Sequence, residues 1–155
     1  MHVTLRSRSL RIPAVKVRIM VQKTLALVNH EVALQEVREV NVLLIDDKAM
    51  RSLNKEFRNK DKATDVLSFP QFEPGEVNGT AAAPEVIGSY LGDLVISTQT
   101  TLAQAKRFGV TPRAELLRLV VHGILHLCGY DHEGVPKAVA ARMRRRERSI
   151  RQELS

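Results

Sequence analysis

The sequence predicts an α+β fold: one small domain with a mixed β-sheet of about four strands, packed by helices and centred on a histidine-bearing helix. Three observations carry that prediction. Strand-like runs rich in β-branched residues, at 36–45, 64–69 and 90–97, alternate with segments of helical period. The helical segments open on capping residues or prolines and several close on glycine. The segment from Pro112 to Leu127 is apolar nearly all round, as expected of a helix that runs through the middle of a molecule.

Val3 to Leu5 alternates as a short edge strand does. Pro13 then opens an amphipathic helix at the position where a missing N–H costs nothing, with Val17, Met20, Val21, Thr24, Leu25 and Val28 as its inner stripe. After the 36–45 strand, Asp46 is the expected N-cap of a helix over 47–56 whose buried side takes in Met50, Leu53 and Phe57. The segment FRNKDKATDVLSFP, 57–70, reads as a charged loop, with Arg58 in it, leading into a strand that Pro70 ends. Glycines, prolines and three alanines in 71–86 predict a flexible connection, a long hairpin or a mobile flap. Ser97 or Thr98 caps a helix to Phe108, closed by Gly109. Thr111–Pro112 repeats the start signal for the histidine helix, and a last helix over 136–153 carries Val139, Met143, Ile150 and Leu154 on a thin apolar stripe.

A chain of 155 residues fits one domain over 1–155, able to bury about two thirds of its unfolded surface. It has no run of 18 apolar residues, which excludes a membrane-spanning helix. The single cysteine, Cys128, excludes an internal disulfide, suits a reducing cytoplasm, and sits off the histidine face as core filler. Net charge is +7 and unevenly placed. Residues 142–151 carry six arginines against one glutamate, and 1–30 hold Arg6, Arg8, Arg11, Lys16, Arg18 and Lys23. Such blocks attract polyanions, of which phosphate backbones are the commonest; taken alone they equally describe a solvated basic face.

The chemistry points to VHGILHLCGYDH, 121–132, with histidines spaced H-x3-H-x5-H at His122, His126 and His132. Residues four apart share a helix face, so His122 and His126 present two imidazoles to one point. Gly129 stops the helix, and His132 is the expected third nitrogen ligand after the chain reverses. Three imidazoles with a fourth position open describe a catalytic zinc site, one ion per chain, better than a structural one. The spacing also fits HExxHxxGxxH peptidases, but Gly123 stands where their glutamate base would be. Asp131 or Asp93 is expected to orient a histidine, and Asp65 is a further carboxylate candidate. Arg58 is a candidate phosphate ligand through its planar fork, or a loop arginine paired with an acid.

HGILHLCGYDH at 122–132, NKEFRNKDKATDVLSFP at 54–70 and LGDLVIS at 91–97 together resemble the YbeY family of bacterial metal-dependent endoribonucleases, over about residues 10 to 150. The resemblance implies zinc on His122, His126 and His132 and a functionally required arginine at Arg58. It further implies single-stranded RNA as substrate, a role in 16S ribosomal RNA 3′-end maturation and ribosome quality control, and the small ribosomal subunit as partner. DNA and membranes are not expected, and the location implied is cytoplasmic. One departure stands out: MRRRE at 143–147 replaces an acidic stretch, with Arg144 in place of its first acid.

Two other classes compete with this expectation. A metallopeptidase shares the histidine spacing but needs the base that Gly123 lacks. A non-catalytic RNA-binding assembly factor would hold a structural zinc, which leaves no corner of the ion open to water.

Overall fold

The structure is a computed structural model and describes residues 2–5, 9–29, 39–71, 90–130 and 135–155. In chain order its elements are β1 (Val3–Leu5), α1 (Ala14–Asn29), β2 (Glu39–Ile45), α2 (Asp47–Arg58), β3 (Val66–Pro70), β4 (Tyr90–Ser97), α3 (Thr98–Phe108), α4 (Pro112–Leu127) and α5 (Lys137–Leu154). The expected connection over 71–86 falls, past Gln71, outside the described residues, as does the start of the strand foreseen at 36–38.

The strands form one four-stranded sheet in the order β1-β2-β4-β3. β1 and β4 both run parallel to β2, with Val3 opposite Val42 and Val42 opposite Leu94, whereas β3 returns antiparallel to β4 with Leu67 opposite Val95. The sheet is therefore mixed, as the sequence predicts. Helices cover both faces, which is why the strands read as nearly unbroken apolar runs. Side chains alternate across the sheet. Val42, Leu44, Leu94 and Ile96 belong to the large core shared with α1, α4 and α5. Ile45 and Val95 point the other way, into a smaller cluster with Met50 of α2 and Leu67.

Helix α4 is the spine of the large core. Ten of its sixteen residues are buried, so its backbone position is fixed by packing on several sides rather than by its own propensity. Its start is as expected: Thr111 accepts from the Ala114 N–H at 3.1 Å and Pro112 takes the first turn. At its end Gly129 adopts φ +82°, a conformation that a side chain would strain, and turns the chain away from the helix axis. Asp46 and Ser97 cap α2 and α3 through bonds from Ala49 N–H (2.8 Å) and Thr100 N–H (3.3 Å).

Three expectations need correction. Helix α2 runs to Arg58, two residues further than predicted, so Arg58 is helical and not in a loop. The stop is Asn59 at φ +56°, whose N–H bonds Lys55 O; asparagine tolerates the left-handed region, and its signal is weaker than glycine's. Phe57 is 58% exposed rather than buried, lying edge-on against Phe69 at 5.1 Å between ring centroids. Val139 is likewise exposed, and Ala140 takes the inward place on α5.

Candidate active site

The site is built on the face of α4 that α5 covers. His122 and His126, one turn apart, face each other edge to face with ring centroids 4.7 Å apart. Both are half-buried, while Val121, Gly123, Ile124, Leu125 and Leu127 around them are buried in the core. A helix so enclosed holds its imidazoles stiffly, which metal geometry requires.

The nitrogen at Nδ1 of His122 lies 3.1 Å from Oε2 of Glu147 on α5. A carboxylate there fixes the ring tautomer, with the proton on Nδ1, and leaves Nε2 as a lone-pair donor. Burial pushes the Glu147 carboxyl pKa up. The hydrogen bond with His122 and the charges of Arg118 and Arg151 outweigh it, so the pKa lies below the ordinary 4.5. The carboxylate form is thereby held at neutral pH. Arg151 Nη1 sits 3.6 Å from Glu147 Oε1, one turn further along α5.

Of the residues singled out from the sequence, the structure brings His122 and His126 together. His132 and Asp131 lie outside the described residues. Among the described residues no three His, Cys, Asp or Glu side chains gather as metal donors. The pair that is described nonetheless suits a borderline ion such as zinc: two imidazoles on one rigid face, one of them backed by a carboxylate. Cys128 is buried in the core, as expected.

Asp93 does not orient a histidine. Its carboxylate accepts the hydroxyl of Tyr90, with Asn41 Nδ2 donating to the same tyrosine at 3.2 Å. Asp65 is held by the Val66 N–H (2.9 Å), Gln104 (3.1 Å) and Arg118 (3.5 Å), so it serves the packing of α3 and α4. Glu147, rather than Asp93, is the carboxylate at His122 among the described residues. It belongs to the MRRRE segment that stands in place of an acidic stretch. The available signal was that Glu147 is the one acid among the arginines of 142–151.

Arg58 ends α2, exposed, with no hydrogen bond or ion pair to any described residue. It reaches the site indirectly. Its neighbour Phe57 packs on Phe69 of β3, and the adjacent Ser68 points to the opposite face, where its hydroxyl approaches Gly123 O at 3.5 Å. Strand β3 thus stands between Arg58 and the histidines. Among the described strands it is also the outermost of the sheet on that side.

Fold and site together define a small α+β protein built around a carboxylate-backed histidine pair on a buried helix. The profile of the family described as "Endoribonuclease YbeY" matches residues 2–155. The chain belongs to the YbeY family. It is 50% identical over 98 residues to "Endoribonuclease YbeY" of Sulfurihydrogenibium sp. (61% of this chain, 57% of the relative). To the protein of the same description from Chloroflexus aurantiacus it is 48% identical over 112 residues (72% of this chain, 70% of the relative). The matched stretch thus spans little more than half of the first relative's length. The solution structure of TM1509 from Thermotoga maritima superposes with a TM-score of 0.61 at 26% identity, covering 99% of this chain and 90% of that one.

Proposed function

We propose that this chain is a metal-dependent endoribonuclease that cuts single-stranded RNA. The observation that carries the reading is the Glu147–His122–His126 arrangement, in a chain whose relatives bear the name endoribonuclease. Zinc, one ion per chain, is the proposed cofactor, with His122, His126 and His132 as its ligands. When bound, such an ion supplies a Lewis acid for a phosphate oxygen and acidifies water to a pKa of about 7. Glu147 holds His122 in the ligating tautomer. The buried α4 keeps the two rings from rotating apart. Arg58, on the far side of edge strand β3 from the histidines, is the proposed ligand of an RNA phosphate that passes that edge.

The exposed arginines of α5, among them Arg142, Arg144, Arg145 and Arg148, attract the RNA backbone and make binding steeply salt-dependent. The proposed setting is 16S ribosomal RNA 3′-end maturation and ribosome quality control in the cytoplasm, at the small ribosomal subunit. Among the described residues no helix is long and apolar enough to cross a membrane. Gly123 offers no base for peptide hydrolysis, and a side chain there would require Leu94 to shift, since a Cβ would lie 2.6 Å from Leu94 Cδ2.

The test is digestion of a single-stranded oligoribonucleotide, with casein as control. Wild type should cut the RNA and leave casein intact. Chelation and His126→Ala should each abolish cutting, and Arg58→Ala should lower it about 100-fold with metal content retained. Cutting that survives both chelation and His126→Ala sinks the proposal.

A further inference from the structure

One helical turn before His122, the same face of α4 opens on a cavity of about 470 Å³ between α3, α4 and α5. Its polar wall is a closed network. Arg118 donates from Nε and Nη2 to Oε1 of Glu115 (2.9 and 2.6 Å), and Nη2 also reaches Gln104 Oε1 (3.3 Å) and Asp65 Oδ2 (3.5 Å). Gln104 completes the ring by donating from Nε2 to Asp65 Oδ2 at 3.1 Å. The apolar wall is Phe108, 53% exposed, with Val110 beside it. Arg151 also lines the cavity, and through Glu147 it is tied to the histidine pair.

Two features distinguish this network from an ion-pair cluster that only joins helices. The charges of the residues lining the cavity cancel, Asp65 and Glu115 against Arg118 and Arg151, with Arg107 the nearby cation over the Phe108 ring at 5.7 Å. Hydrogen-bonding capacity is also left over. Among the described residues neither Oε2 of Glu115, a side chain 2% exposed, nor Nη1 of Arg118 has a partner. A buried acceptor beside a fixed donor is costly to leave unmatched. A ligand that fits is flat, uncharged, able to stack on an aromatic ring, and bears a donor and an acceptor on one edge. Nucleobases have these properties, and single-stranded RNA offers them unpaired.

We propose that this cavity is a base-binding subsite, in which a nucleotide next to the cut stacks its base on Phe108 and sets its edge against Glu115 Oε2 and Arg118 Nη1. Arg118 lies about 6 Å along the helix axis from His122, so the base and the phosphate of neighbouring nucleotides reach the two places together. The identity of the ligand rests on the endoribonuclease reading, but the cavity can be probed without any phosphate. The experiment titrates the isotope-labelled full chain with adenosine, guanosine, cytidine and uridine in turn. NMR follows the Gln104 side-chain amide, the Arg118 Nε–H and the Phe108 amide, and cleavage of a single-stranded oligoribonucleotide is measured in parallel.

At least one nucleoside should shift all three signals, inorganic phosphate should shift none, and Phe108→Ala should weaken nucleoside binding about tenfold at an unchanged melting temperature. If no nucleoside moves these signals while the oligonucleotide is cut, the subsite is overturned and the endoribonuclease reading stands. Binding that is indifferent to Phe108→Ala overturns the subsite too. Nucleoside shifts without any cutting leave the subsite in place and overturn the enzyme reading instead.

Discussion

Leu94 of β4 occupies the space into which a side chain at Gly123 of α4 would project: a Cβ at Gly123 would lie 2.6 Å from Leu94 Cδ2 and 3.2 Å from Cδ1. Both residues are buried, so neither can turn toward solvent. A side chain at position 123 would therefore press on the sheet, where helix and strand lie in close contact. Gly123→Ala should cost about 1–3 kcal/mol by overpacking. Leu94→Ala alone should cost about 2–5 kcal/mol. The double variant should be more stable than the sum predicts, since each change relieves the other. Urea denaturation of the four proteins measures this coupling, and strict additivity would contradict the close contact.

On the proposed zinc site, Glu147 acts through His122. Glu147→Gln should lower zinc affinity by about 10- to 100-fold, read by competition with a chromophoric chelator. Helix content should stay as in wild type. Affinity equal to wild type would mean that the carboxylate neither orients the ring nor raises its basicity.

Arg118 neutralises a carboxylate that is almost wholly enclosed. Arg118→Ala leaves Glu115 charged and unpaired, and should destabilise the fold by about 3–5 kcal/mol. Adding Glu115→Gln should restore part of that loss. Thermal melts of the single and double variants report the difference. A double variant no more stable than the single one would mean that the charge is not the source of the cost.

Burial, then the hydrogen bond and charge of Asp93, raise the Tyr90 phenol to about 12 from an ordinary 10.0, with the bond from Asn41 pulling the other way. A raised folded pKa means that the stability lent by the neutral phenol is whole below pH 10.0 and is lost as pH climbs through about 12. Ultraviolet titration should show a tyrosinate step near pH 12 that Tyr90→Phe removes. A Tyr90 step centred near pH 10.0 would refute the assignment.

Periodicity and capping chemistry made most of the architecture legible, because α4, β2 and β4 are buried strongly enough for their apolar patterns to dominate. The histidine pair was legible for the same reason: a four-residue spacing on a predicted helix fixes which face both rings share. Glu147 was not, since it is 25 residues from His122 and only the packing of α5 on α4 makes them neighbours. Arg118 escaped notice as one charge in an apolar helix, and its meaning depends on Asp65 and Gln104 from two other elements. Phe57 misled in the opposite sense. Its hydrophobicity suggested the core, but at the end of α2 it lies exposed against the edge of Phe69.

The parallel register of β2 and β4 has a kinetic corollary. Val42 sits beside Leu94, so the central rungs of the sheet join stretches about fifty positions apart. Closing so long a loop is slow, and α4 has no seat until Leu94 and Ile96 are in place. The histidine helix therefore docks late in refolding. Ions added at the start of a refolding trace should hasten only its final phase, leaving the initial collapse at its metal-free rate.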